Sequence, residues 1–119
     1  MPALFSLDHK EFSEKDQEWQ WTYLLRFVFI FNQQIINYIT ITDHPWAKQG
    51  REEMTRELVL NILNQELNGL IAKPANYQGQ RKVFIRKRVY YDDKNYRLVF
   101  WFKDGTTNHL WIRNCHRIV

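Results

Sequence analysis

The stretch "WQWTYLLRFVFIF", residues 19–31, decides how this chain folds. Every odd position holds a large apolar side chain: Trp19, Trp21, Tyr23, Leu25, Phe27, Phe29 and Phe31. Period-two apolarity with so many aromatic and β-branched neighbours predicts a long strand. A helix is the competing reading, because Leu24, Val28 and Ile30 on the even positions are apolar as well. The apolar run within it, "TYLLRFVFIF", is ten residues long and interrupted by Arg26, too short and too polar to cross a bilayer.

Working outward, "NQQ" at 32–34 reads as a turn and "IINYITIT" at 35–42 as a second strand, which makes a hairpin. "DHPW" ends it, since Pro45 has no N–H to give to a ladder. Between Arg51 and Asn68, Met54, Leu58, Ile62, Leu63 and Leu67 fall on one helical stripe, while Glu52, Glu53, Arg56, Glu57 and Glu66 fall opposite. Gly69 is the stop signal. Residues 72–80 read as a loop, and strands are expected over 81–91, 96–102 and 106–113, joined by "DDKN" and by Asp104-Gly105. Residues 1–18 read as an N-terminal arm, with Ser13 capping a short helix that begins at "SEKDQ". The expectation is an α+β fold with one domain over 19–119. It has a single antiparallel sheet of about five strands, ordered strand-strand-helix-strand-strand-strand, with the main amphipathic helix on one face. One helix cannot cover both faces, so the bare face is wet, covered by the arm, or used for binding.

Charge is distributed unevenly. The chain of 119 residues has 17 Lys and Arg against 13 Asp and Glu, a net charge of +4. Residues 1–20 hold two basic and five acidic side chains, whereas residues 81–119 hold ten basic and three acidic. A local positive field of this kind steers a polyanion. The single cysteine, Cys115, rules out an intrachain disulfide, and the acidic first 20 residues lack a signal-peptide core, so a cytosolic location is expected with no membrane partner.

The basic block sits in "VFIRKRVYY", residues 83–91. Val83, Ile85, Lys87 and Val89 alternate there with Phe84, Arg86, Arg88 and Tyr90. Pairing Lys103 with Thr106 across the Asp104-Gly105 turn places Val99, Trp101, Leu110 and Ile112 on a core side. The same pairing places Leu98, Phe100, His109, Trp111 and Arg113 on the other. If "DDKN" carries a bulge or a three-residue turn, Phe84, Arg86, Arg88 and Tyr90 join His109, Trp111 and Arg113; a plain even-length turn reverses the match. On a shared face the cations would neutralise phosphates and the rings would stack on bases, the division of labour used on single-stranded nucleic acid. The alternative reading is an edge strand whose charges discourage aggregation.

Four histidines, His9, His44, His109 and His116, are the side chains that titrate near neutrality. His44 closes a strand ahead of a helix and His109 lies among the late-chain cations, which makes these two the candidate acid and base. Neither Cys nor His recurs at the spacing of a structural zinc site, both serines (Ser6 and Ser13) lie in the arm, and no glycine-rich phosphate loop is present. No metal or other cofactor is expected. A metal-free ribonuclease fits what remains, since it uses the RNA's own 2′-hydroxyl as nucleophile and needs only a base, an acid and cations.

The segments "ITITDHPW", "EEMTRELVLNIL" and "FIRKRVYY", in that order, resemble the small ribonuclease toxin superfamily that includes barnase, EndoU, colicin D and RelE-like proteins. The resemblance covers residues 19–114 as a pattern. It implies a histidine at the strand-helix junction, matched by His44 with Lys48 one helical turn on. It further implies a basic residue on the next strand, matched by Arg86 or Lys87, and a polar residue near the last strand, matched by Thr107 or His109. The expected function is RNA binding, with toxin-type cleavage, by His44, His109, Lys48, Arg86, Lys87, Arg88, Tyr90, Trp111 and Arg113. Two other readings stay open: a non-enzymatic interaction module of antitoxin, immunity or phage-inhibitor type, and a homodimer built through the 19–31 strand.

Overall fold

The computed structural model describes residues 4–43 and 54–118. His44 and Lys48, together with Glu52 and Glu53, lie outside the described residues. The elements run β1 (Phe5–Ser13), β2 (Glu18–Leu25), β3 (Ile30–Phe31), β4 (Gln34–Ile35), β5 (Tyr38–Thr42), α1 (Arg56–Leu67), β6 (Asn76–Gln78), β7 (Arg81–Tyr91), β8 (Lys94–Phe102) and β9 (His109–Ile118). Seven of the strands form one sheet in the order β1-β2-β5-β9-β8-β7-β6, and β3 pairs with β4, with a single further bridge from Phe31 to Leu70. This corrects the five-stranded antiparallel expectation: the fold is mostly β, the sheet has seven strands, and it is mixed because β5 and β9 pair in parallel. The helix is short beside it.

The 19–31 stretch is a strand only as far as Leu25. There the chain leaves the sheet: Leu25 N–H donates to Asn37 and Arg26 N–H to Leu4. Phe29 and Phe31 turn into the core, both fully buried, and Phe31 meets Phe84 and Phe100 edge-on at 5.2 Å each. Two side-chain amides hold this departure. Asn68, just past α1, donates to Val28 C=O and accepts from Ile30 N–H. Asn32 accepts from Ala72 N–H at 2.6 Å and donates to Ala72 C=O at 3.0 Å, imitating a ladder pair. The turn expected at 32–34 is present, with Asn32 and Gln33 both at positive φ as a two-residue primed turn requires.

The region read as an arm is an edge strand instead. β1 pairs with β2 from Phe5 opposite Leu25 to Ser13 opposite Glu18, with a bulge between Leu7 and His9. Its "DHKE" charges suit an edge, where they discourage pairing with another chain. Ser13 caps a turn and not a helix, accepting from Asp16 N–H at 3.2 Å. β2 is paired on both sides, by β1 and β5, so it offers no edge to a second copy.

One face of the sheet is dry. Trp21, Tyr23, Ile39, Ile41, Leu110, Ile112, Cys115, Leu98, Phe100 and Phe84 are buried there beneath Val59, Leu60, Ile62, Leu63 and Leu67 of α1. Thr55 caps the helix, its hydroxyl accepting from Leu58 N–H at 3.1 Å. Burial pushes the Cys115 thiol up to about 12, which leaves it inert.

Candidate nucleic-acid interface

The second face is built by alternation from the same strands. Opposite pairs place His9 beside Thr22, Thr22 beside Thr40, Thr40 beside Trp111 and Trp111 beside Trp101, a row crossing five strands. Thr22 and Thr40 are buried, as are Gln20 and Thr42 in the next row. Polar side chains this deep need partners, and the three threonines have them. The Thr22 and Thr40 hydroxyls are 2.7 Å apart, Thr40 Oγ1 is 2.6 Å from His109 Nε2, and Thr42 donates to the Ile112 carbonyl.

The face is concave. Three strands separate β2 from β7, so a flat sheet would hold them about 19 Å apart. Yet Asp16 and Glu18, from the β1–β2 turn and the start of β2, line one cavity of about 570 Å³ with Gln78 and Arg81 from β6 and β7. Twist has coiled the sheet until its two ends face each other across Trp101, Trp111, Val99 and Arg113. A second cavity of about 670 Å³ shares Gln78, Arg81, Lys103 and Asp104 with the first. It rounds the end of the sheet past the Lys103–Thr107 loop to the helix side, where Phe84 and Phe102 line it with Asn32, Gln34, Gln80 and Lys82. Together the two form one trough.

Charges along the trough divide into paired and unpaired. Arg81 makes a two-pronged pair with Asp104, at 3.1 and 2.7 Å, and holds the Asp104 carboxyl below its usual range. Arg113 stands 3.6 Å from Glu18, which is almost wholly buried. Lys82 and Lys103 make no ion pair among the described residues. His109, between Tyr38 and Trp111, is driven down to about 4, first by burial, then by the charges of Lys103 and His9. At neutral pH it is uncharged, and it accepts from Thr40 when Thr40 in turn accepts from Thr22.

The residues expected to form the site divide accordingly. His109, Trp111 and Arg113 share the concave face. Arg86 does not: it lies opposite Leu98 on the helix side and pairs with Glu66 of α1 at 2.7 Å. Phe84, expected beside it, is core, stacked on Phe100 at 5.3 Å. The "DDKN" connection is a plain two-residue turn with Asp92 and Asp93 at positive φ. A bulge between Arg86 and Val89 then sets Lys87 and Arg88 together on the strand, so the alternation changes face after Arg86. Lys87, Arg88 and Tyr90 are exposed at that far end, and Tyr90 donates to Asp93 in the turn. β6 covers only Arg81–Val83 of β7's outer edge, so Lys87 and Arg88 also blunt an open edge, as the alternative reading held.

Sequence reading missed Trp101, Arg81, Lys82, Lys103 and Gln78. Trp101 was placed in the core because Asp104-Gly105 suggested a tight hairpin. Thr106 N–H does donate to Lys103, but the ladder resumes only at Phe102 opposite Leu110, which sets Trp101 across from Trp111. A parity error of one residue moved that ring to the wrong side.

Among the described residues no group of three or more His, Cys, Asp or Glu is arranged to hold a metal ion, and no helix is long and apolar enough to cross a membrane. Comparison with protein-family models, with curated proteins and with solved structures returned no match.

Proposed function

We propose that this chain binds single-stranded RNA in the trough that runs along the concave face of its sheet and round the sheet's end, in the cytosol. The observation that carries the reading is the trough's lining. Trp111 lies at its centre beside Trp101, whose ring is covered by Arg81, with Lys103 next to them, Lys82 at the far end, and Gln34, Gln78 and Gln80 supplying amides. Rings stack on bases, ammonium groups neutralise phosphates, and amides meet base edges and 2′-hydroxyls. Arg97 extends the basic lining along β8 beyond Val99 and Trp101. From Arg97 to Lys103 the strand spans about 20 Å, enough for a site of about four nucleotides.

The proposal is for binding, not cleavage. A base that abstracts a 2′-hydroxyl proton works best with a pKa near the working pH. His109, at about 4 and tied to Thr40, is a weak base at neutrality. The test is fluorescence anisotropy of a labelled 12-nucleotide RNA between 50 and 200 mM salt in EDTA. Wild type should bind with a salt-dependent affinity and leave the RNA intact. The double variant Lys82→Ala/Lys103→Ala should lower the log–log salt slope by about 1.4, two phosphate contacts of a single strand. No binding at high protein concentration, or an unchanged slope, removes the proposal.

A further inference from the structure

We infer that Arg81 is a stacking platform for a nucleobase and not a phosphate ligand. The inference rests on the trough being an RNA site, and it assigns the chemistry of one position within it. The Arg81 guanidinium carbon lies 4.4 Å from the centroid of the Trp101 ring, so one face of the guanidinium is closed by the indole. All three nitrogens are engaged at the rim. Nε donates to Asp104 Oδ1 at 3.1 Å, Nη2 to Asp104 Oδ2 at 2.7 Å, and Nη1 to Gln78 Oε1 at 3.4 Å. A phosphate is gripped through guanidinium N–H groups, and here three of the five point at a carboxylate and an amide. The positive charge is matched by Asp104, so a phosphate arriving there would also meet the carboxylate.

The remaining face is free to act. Arg81 lines both cavities, at the place where they meet, and its side chain is 30% exposed although Trp101 beneath it is only 8% exposed. A flat cation fixed on an indole is a larger and more polarising surface than either alone, and bases stack on guanidinium planes as they do on aromatic rings. Lys103, which lines both cavities with Arg81, is placed to take a phosphate next to that base, and Lys82, farther round in the second cavity, to take one farther along the strand. Asp104 is then a positioning residue that holds the plane flat.

The experiment compares two 12-mers, oligoadenylate RNA and a base-free sugar-phosphate chain, on wild type, Arg81→Ala, Arg81→Lys and Lys82→Ala/Lys103→Ala over the same salt range. Wild type should prefer the oligoadenylate. Both Arg81 variants should lose about ten-fold in affinity for it, with the salt slope unchanged, and should bind the base-free chain as wild type does. Arg81→Lys keeps the charge and loses the plane, so its failure to rescue is the diagnostic result. The inference is overturned if Arg81→Ala weakens both chains equally and lowers the slope by about 0.7, if Arg81→Lys restores binding, or if neither variant has an effect. Absence of binding to either chain by wild type overturns the RNA reading itself, along with this inference. Lysine-dependent binding without base discrimination overturns this inference alone.

Discussion

The two faces of the sheet are made from the same seven strands, residue by alternate residue, and are chemically opposite. On the helix side Leu98, Phe100, Leu110 and Ile112 are wholly buried, and a cation at that layer's rim, Arg86, is matched by Glu66. On the concave side Thr22, Thr40 and Thr42 are buried too, yet they hydrogen-bond, and Thr40 stands beside Trp111 and His109. The first face is what apolar burial builds. The second keeps polar groups where an apolar core would be simpler, and it is the face on which the RNA proposal rests.

The largest expected effect breaks the dry side. Phe100→Ala removes a fully buried ring stacked on Phe84 and touching Phe31, and should cost about 3–5 kcal/mol in urea unfolding. On the concave side the counterpart is Trp111→Ala, expected to weaken RNA binding by about 2 kcal/mol while leaving the unfolding midpoint much less changed than Phe100→Ala does. Equal loss of stability in the two variants would mean that the concave face is simply a second core.

His109 gives a pH test of the same contrast. Its folded pKa of about 4 lies below its ordinary 6.5, so between those values the unfolded chain binds the proton first. Stability should therefore fall as pH drops from about 6.5 to about 4, by about 1–2 kcal/mol once its partial exposure is allowed for. His109→Gln should remove that part of the pH dependence, seen as the difference between the two proteins' unfolding free energies across the window. A pH-independent difference would contradict the buried, neutral imidazole.

The smallest effect concerns Arg86, which the sequence placed among the RNA ligands. Arg86→Ala should leave RNA affinity and salt slope unchanged and lower stability by less than about 1 kcal/mol, since its partner Glu66 is partly exposed. Loss of RNA binding in this variant would return the basic block of β7 to the interface.

How much of this was legible in the chain depended on how local the signal is. Ile62, Leu63 and Leu67 revealed their helix and its buried stripe because a 3.6-residue period needs no knowledge of partners. His109, Trp111 and Arg113 share a face as alternate residues of one strand, whereas Leu98 and Phe100, expected beside them, lie in the core. Four features had no local signature. The parallel pairing of β5 with β9 joins residues some seventy apart in sequence. The charges of β1 read as an arm because edge strands and arms share a composition. The bulge after Arg86 and the true register beyond Lys103 depend on ladder geometry, and each exchanged one face for the other.

The most direct measurement is of the indole N–H resonances of ¹⁵N-labelled protein titrated with single-stranded RNA at low salt. Trp101 and Trp111 stand on the concave face, whereas Trp19 and Trp21 stand beneath Lys10 on the other. The Trp101 and Trp111 signals should shift or broaden together as RNA is added, with Trp19 and Trp21 unmoved. Shifts confined to Trp19 and Trp21, or no shift in any of the four at saturating RNA, would contradict the assignment of the concave face as the interface.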